Sequence, residues 1–444
     1  MTVWPRTLEA VNLDVKEVAL PSSPRELRIV VEQGSRMPRI EPQRLLRDLR
    51  ELGRFGAYKT GVHRPSLTPE DLAARHWTMD RFAAAGLTPE IDGIGSVFGW
   101  SGLAGKRLLT GSHLETQNHA GWLDGALGVI YGLEAARAFA ADPDWRHVPI
   151  DVAAWFDEEG HFGSFLGSRS GIGALTDEEI AQAANKYDGT RLTDALAAAG
   201  LLGKPRVVID PRRYIGYCEA HIEQGDTLES TGHRIGVVTT IVGIWQYRIV
   251  FAGAQNHAGT TRMAIRKDAG VAATELCHAI HVQFPRCAGP RTVWTTGRLT
   301  LDPGAPSVIP GRAEMLFQIR DAEIAVLERM EAELRALVDA SHRAGPCTAV
   351  LEVVSKSVPA VMDEQLQAAL TAAAEVHAPG KYIRMPSGAG HDAQFLARVM
   401  AASMLFVPSI GGISHHWTEN TSDADLVLGA QVYVDALANM ATLA

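Results

Sequence analysis

The sequence predicts an α/β protein: a mixed-sheet α/β domain interrupted by an inserted ferredoxin-like α+β domain. Three observations lead there. Short apolar runs that read as buried strands recur at residues 108–113, 147–156, 214–224 and 402–407, with helical patterns between them. Residues 237–357 break that rhythm and run strand, helix, strand, strand, helix, strand, the order of the ferredoxin-like split unit. The chain has 444 residues, more than the ~250–300 over which a single core keeps growing. The expected organisation is an N-terminal extension over 1–40, a main domain over 41–236 and 358–444, and the insertion over 237–357.

Taken in order, the proline-punctuated extension gives way to a helix over 42–52, with Leu45, Leu46, Leu49 and Leu52 on one stripe. Thr68 caps the next helix, Pro69 takes its first position, and Glu70 and Asp71 sit at the positive end of its dipole. That helix runs to Gly86, and residues 90–100 read as a strand pair or a strand and turn. The run 108–113 is a buried strand that ends in His113. After a polar loop, Asp124 stands at the entry to the glycine-rich helix that begins Gly125-Ala126-Leu127-Gly128. The strand over 147–156 ends in Asp157-Glu158-Glu159-Gly160, and the strand over 214–224 ends in His221, Glu223 and Gln224, with helices and loops over 164–213 between them.

Within the insertion, strands are expected at 247–252, 292–301, 313–320 and 349–356, with helices at 263–282 and 322–344. It brings Asn256-His257-Ala258-Gly259 and Arg320, which ends an apolar strand. The planar fork of Arg320 suits a carboxylate; the simpler reading pairs it with Asp321. The main domain resumes with a helix over 363–376, then the turn Pro386-Ser387-Gly388-Ala389-Gly390-His391-Asp392 leading into a helix over 393–399. Bare amides at such a helix start suit an anionic or carbonyl oxygen. The strand over 402–407 feeds the loop carrying His415 and His416, and a C-terminal helix closes the chain.

Composition narrows the function. The net charge of −9 has the wrong sign for a nucleic-acid partner. No run of about 18 apolar residues offers a membrane span, and the N-terminus lacks a signal-peptide core. The four cysteines lie far apart without CxxC spacing, which excludes a cysteine-built zinc site and fits a reducing cytoplasm.

Chemistry gathers at the strand ends, where open α/β sheets bind their ligands. Imidazole and carboxylate converging there suit a divalent ion such as zinc. Three consecutive acids at a strand end are costly unless something binds them. The adjacent Glu158 and Glu159 can divide two roles, one ligating metal and the other taking a proton from water. The bland alternatives are a solvated acidic turn and structural histidines.

Six segments, in this order over roughly residues 41–440, carry a resemblance: Gly111-Ser112-His113 with Asp124-Gly125-Ala126; Phe156-Asp157-Glu158-Glu159-Gly160; His221-Ile222-Glu223-Gln224-Gly225; Asn256-His257-Ala258-Gly259; Pro386 to Asp392; and Gly412-Ile413-Ser414-His415. The chain resembles the M20 metallopeptidase superfamily, hydantoinase/carbamoylase branch, which contains N-carbamoyl-L-amino-acid hydrolases, allantoate amidohydrolases and β-ureidopropionases. The resemblance implies two divalent metal ions per subunit (Zn, or Mn, Co or Ni). His113 and His221 would hold one ion, Glu159 and His415 the other, with Asp124 bridging and Glu158 as general base. It implies that His257 is catalytic and that Gln224, Asn256, Ser307, Arg320 and Gly390 contact substrate. Glu115 stands where the family usually has an Asp that orients the first histidine. Ser307, His416 and Arg262 also depart from the pattern.

The expected activity is metal-dependent hydrolysis of a linear C–N amide bond, that of the ureido group of an N-carbamoyl amino acid or related ureido acid. The expected substrate is a small acid, and the insertion is expected to act as a lid and to form a homodimer, placing His257 in the neighbour's site. The alternatives are an N-acyl-amino-acid deacylase or dipeptidase on the same two-metal site, and a non-catalytic homologue that binds a small acid.

Overall fold

A computed structural model describes residues 37–443. The extension expected over 1–40 lies outside the described residues up to 36; Met37 and Ile40 pack against the main core. The longer strands, in chain order, are β1 (Thr88–Ile91), β2 (Val97–Trp100), β3 (Arg107–His113), β4 (Ile150–Trp155), β5 (Tyr214–Ile222), β6 (Ile235–Ile241), β7 (Gly243–Ala252), β8 (Val293–Asp302), β9 (Arg312–Asp321), β10 (Thr348–Lys356), β11 (Tyr382–Ser387) and β12 (Ala402–Val407).

The larger sheet holds nine strands and is mixed. Its centre is parallel: β4 pairs with β3, β3 with β5, and β5 with β12. Its flanks are antiparallel where β2 joins β4, β1 joins β2, and β6 joins β12. Every residue of β3, β4 and β12 is buried, as strands covered on both faces must be. That coverage is why these stretches read as continuous apolar runs rather than alternating ones. One face carries the helices Ala126–Ala141, Glu364–His377 and Asp423–Ala441. The other carries Phe98, Trp155, Tyr217 and Phe406 beneath the short helix Ala393–Leu396. A Cβ on Gly128 would lie 2.5 Å from the Ala220 carbonyl oxygen and 2.7 Å from Ser112 Cβ. Glycine there lets the first of these helices settle directly on β3 and β5.

The smaller sheet is antiparallel in the order β8–β9–β7–β10. Helices Ala269–Gln283 and Ile324–Ala344 lie on one face, around Trp245, Ile249, Leu276, Met315 and Leu334. Its element order is the one expected for the insertion. Three details differ. Residues 237–241, expected in the insertion, belong to β6 of the larger sheet, and the smaller sheet begins at Gly243. The helix expected over 263–282 is a 3₁₀ turn, Met263–Ile265, followed by Ala269–Gln283. Asp268 resets the helix start by accepting the N–H groups of Gly270 and Val271, while Arg266 is drawn off to the carbonyls of Ala258 and Thr261. The helix expected over 393–399 ends at Leu396 and tightens into i→i−3 bonds at Arg398 and Val399. No described helix is long and apolar enough to cross a membrane.

Candidate metal centre

The parallel strands β3, β4, β5 and β12 present their carboxyl ends on one edge of the sheet. His113 is the last residue of β3 and His221 the penultimate residue of β5. Glu158 and Glu159 follow β4, and His415 follows β12. Asp124 precedes Gly125, the N-cap of the Ala126–Ala141 helix. Gly125 has φ 68°, and a Cβ on it would sit 2.3 Å from His113 Nδ1, so only glycine brings Asp124 this close to the ring. Asp157, Gln224 and His415 also take left-handed backbone, with φ of 55°, 59° and 55°. Such strained positions persist only where the surroundings hold them. Asp157 shows how: its carboxylate accepts from the Ser66 hydroxyl and from the N–H groups of His161, Phe162 and Gly163. That grip aims the two glutamates that follow it.

Asp124 is the geometric centre. Its Oδ1 lies 3.1 Å from His221 Nε2 and 3.5 Å from His113 Nε2. Its Oδ2 lies 3.3 Å from His415 Nε2 and accepts from Gln224 Nε2 at 2.9 Å. His415 Nε2 is 3.6 Å from Glu159 Oε2. Nδ1 of His113 donates to the Glu115 carbonyl at 3.0 Å, and Nδ1 of His221 to the Ile222 carbonyl at 2.9 Å. These bonds place a proton on Nδ1 and turn Nε2 of each ring toward Asp124. The result is two groups able to hold an ion, His113–Asp124–His221 and Asp124–Glu159–His415, each with ligand atoms within 4.8 Å of one another. Glu158 belongs to neither group, although its Oε2 lies 3.6 Å from His113 Nε2.

The donor set fits a divalent cation. Asp124 and Glu158 are buried and the Glu159 side chain is 5% exposed, and among the described residues the basic side chains within reach of them are histidines. Burial drives the carboxyls of Glu158 and Glu159 above their ordinary range. Burial opposes ionisation of Asp124 as well, but hydrogen bonds from His113, His221 and His415 hold it well below that range. The same bond to Asp124 raises His415 to about 9. Buried carboxylates held together by imidazoles are the environment that a bound cation relieves.

Sequence reasoning missed three residues that hold this constellation. Glu419 accepts the N–H groups of Leu123 and Asp124 through Oε1 and the Ser414 hydroxyl through Oε2, tying the Asp124 loop to the His415 loop. Burial raises its carboxyl to about 7. Gln117 donates its N–H to Glu159 Oε1 at 3.1 Å and its Nε2 to Oε2 at 2.9 Å. Arg75, fully buried, bridges Asp71 at 2.9 Å and Glu115 at 2.6 Å. This last bridge shows how the geometry adjusts around Glu115, which stands where the family usually has Asp. Its side chain does not orient the His113 ring, with Oε1 3.8 Å from Nδ1; its carbonyl does that. Its longer side chain instead carries the carboxylate to Arg75 and accepts the Glu158 N–H at 2.7 Å.

A cavity of about 760 Å³ opens over the centre, lined by Gln224, Arg320, Gly388, Ala389 and His415 among others; Gly390 follows in the same turn. Arg320 Nη1 donates to the Gly388 carbonyl at 3.0 Å. The alternative pairing with Asp321 is absent, because that carboxylate accepts from the Thr292 hydroxyl and the Glu323 N–H. Asn256, His257 and Ser307 lie elsewhere. They gather, exposed, at the short ladder of Asn256–His257 with Val308–Ile309, and they do not line this cavity.

A mixed α/β sheet with a His/carboxylate centre at its parallel strand ends defines a hydrolase scaffold built to bind divalent metal. The chain belongs to the peptidase family M20/M25/M40, whose model matches residues 110–439. It is 33% identical over 416 residues, 89% of this chain and 97% of the relative, to an N-carbamoyl-L-amino-acid amidohydrolase of Paenarthrobacter aurescens. It is 32% identical over 399 residues, 88% of this chain and 95% of the relative, to an allantoate amidohydrolase of Bacillus subtilis. Its fold matches the crystal structure of a hydantoinase/carbamoylase-family amidase from Burkholderia phymatum at 49% identity and a TM-score of 0.86, covering 92% of this chain and 100% of that one.

Proposed function

We propose that the protein is a two-metal amidohydrolase that cleaves the ureido C–N bond of an N-carbamoyl amino acid or a related ureido acid. The observation that carries this reading is the position of Asp124, shared between the His113–His221 pair and the Glu159–His415 pair beneath the Arg320 cavity. Divalent ions held there supply Lewis acidity to the scissile carbonyl and to the attacking water. Glu158, beside the centre but outside both ligand groups, takes the proton from that water and passes it to the leaving nitrogen. Arg320, without a carboxylate partner among the described residues, holds the substrate acid, and Gln224 and the Gly390 turn position the carbamoyl group. Residues 41–242 and 358–444 form the catalytic domain and 243–357 the lid.

The activity is tested on metal-reconstituted protein across ureido acids, N-acyl amino acids and dipeptides, following the freed amino acid in every case and ammonia from the ureido acids. Turnover confined to the acyl substrates or dipeptides would replace the ureido reading with a deacylase or dipeptidase. Arg320→Lys is expected to raise KM by about tenfold with a smaller change in kcat, because a point charge loses the bidentate geometry. An unchanged KM for every acid would remove Arg320 from that role.

His257, with Asn256 and Ser307, lies outside the cavity of its own chain. This favours a homodimer in which the lid of one subunit presents His257 to the neighbour's site, where it stabilises the oxyanion. Mixing inactive His257→Ala and Glu158→Gln chains under subunit exchange is expected to restore activity, since each heterodimer then holds one intact site. Absence of recovery despite demonstrated exchange would place His257 in its own subunit's site or outside catalysis.

A further inference from the structure

We propose that the preferred substrate is a dianion, an N-carbamoyl amino acid with a second carboxylate on its side chain, and that Arg291 receives that second carboxylate. This rests on the ureido-acid reading above and adds the class of side chain.

Four charged or chargeable groups line the cavity: Glu223, Arg291, Arg320 and His415. Two are already committed. His415 belongs to the metal centre, and both oxygens of Glu223 accept backbone N–H groups, from Thr227 at 2.8 Å and Leu228 at 2.8 Å. The two arginines have no carboxylate partner among the described residues. Arg320 spends its donors on the Gly388 carbonyl and on Gln318, and the exposed Arg291 has no hydrogen-bond or ion-pair partner among the described residues. Elsewhere on the same sheet the chain pairs such groups closely: Arg248, Arg298 and Arg312 all converge on Glu314. In a chain with 51 acids against 42 lysines and arginines, two unpaired guanidinium groups on one cavity wall leave a positive surface for a ligand to neutralise.

The backbone places the two cations side by side. Val293 pairs with Arg320 across β8 and β9, and Thr292 extends the contact by one step through its bond to Asp321. Arg291 sits two residues before Val293, in the turn that leads into β8, and lines the same cavity as Arg320. The turn that carries Arg291 is fixed, because the Gly289 N–H donates to Thr292 Oγ1 at 2.6 Å and the Thr292 N–H to the Gly289 carbonyl at 3.3 Å. Asp321, across from that turn, is consumed by the Thr292 hydroxyl and by the Glu323 N–H. Arg291 and Arg320 therefore line one cavity, and neither has a carboxylate partner among the described residues.

The test uses the full chain carrying Glu158→Gln, loaded with metal, and measures binding of N-carbamoyl-L-glutamate and N-carbamoyl-L-glutamine by calorimetry. These probes share a shape and differ in the second charge. The glutamate form is expected to bind about tenfold more tightly at low salt, as a charge-assisted hydrogen bond allows. That ratio is expected to shrink as salt screens an exposed arginine and to collapse toward one in Arg291→Ala. Equal affinities, tighter binding of the glutamine form, no measurable binding of either, or a ratio that survives Arg291→Ala would each overturn the proposal. Ammonia release from the unsubstituted enzyme separates the two claims. A glutamate preference in binding without release from either probe would overturn the ureido reading alone, whereas release from both probes without preference would overturn the dianion proposal alone.

Discussion

Replacing Glu158 by glutamine is expected to leave bound metal unchanged while turnover falls by about 10²–10⁴-fold, the usual cost of losing a general base. Glu158 adjoins the centre, 3.6 Å from His113 Nε2, yet belongs to neither group of three ligands. Glutamine preserves its volume and the backbone N–H held by Glu115, so the site keeps its shape and loses only the proton acceptor. Metal content by plasma mass spectrometry and ammonia release are measured on the same preparation. If metal and activity fell together, Glu158 would be a ligand and the roles of the two adjacent glutamates would be reversed.

Removing the shared carboxylate is expected to do more damage. Asp124→Ala takes one anion from both ligand groups and frees His113, His221, His415 and Gln224 from a common partner. Both ions are expected to be lost at ordinary concentrations, and turnover to fall further than in Glu158→Gln, because water without a metal keeps its ordinary, far higher pKa. Asp124→Asn, which keeps the side-chain shape, separates lost ligation from lost packing, with circular dichroism checking the fold of each variant. Two ions retained in both variants would show that Asp124 is not shared.

Much of this site was legible in the sequence because its ligands end buried parallel strands. A strand covered on both faces is a continuous apolar run, and the His or acid that stops the run is conspicuous: His113 after β3, Glu158 and Glu159 after β4, His221 near the end of β5. The supporting residues gave no such signal. Glu419 reaches Asp124 from 295 positions away, and Arg75 reaches Glu115 from 40. Arg75 lies on the helix Pro69–Ala84 at a position that reads as an ordinary solvated charge. Only the tertiary fold buries it between two carboxylates. Glu115 shows the same limit in miniature, since its extra methylene was visible but its destination was not. The start of the smaller sheet was misplaced because β6 and β7 are nearly continuous in sequence yet pair in different sheets.

The central claim is that the centre around Asp124 holds divalent metal and uses it on a ureido bond. The most direct measurement is a metal titration of the chelated protein, following ions bound per chain and ammonia released from an N-carbamoyl amino acid in the same samples. The expected result is no ammonia from the metal-free chain, release that grows as metal binds, and saturation at two ions per chain. Ammonia release that persists after complete chelation, or tight binding of metal without hydrolysis of any ureido acid, would contradict it.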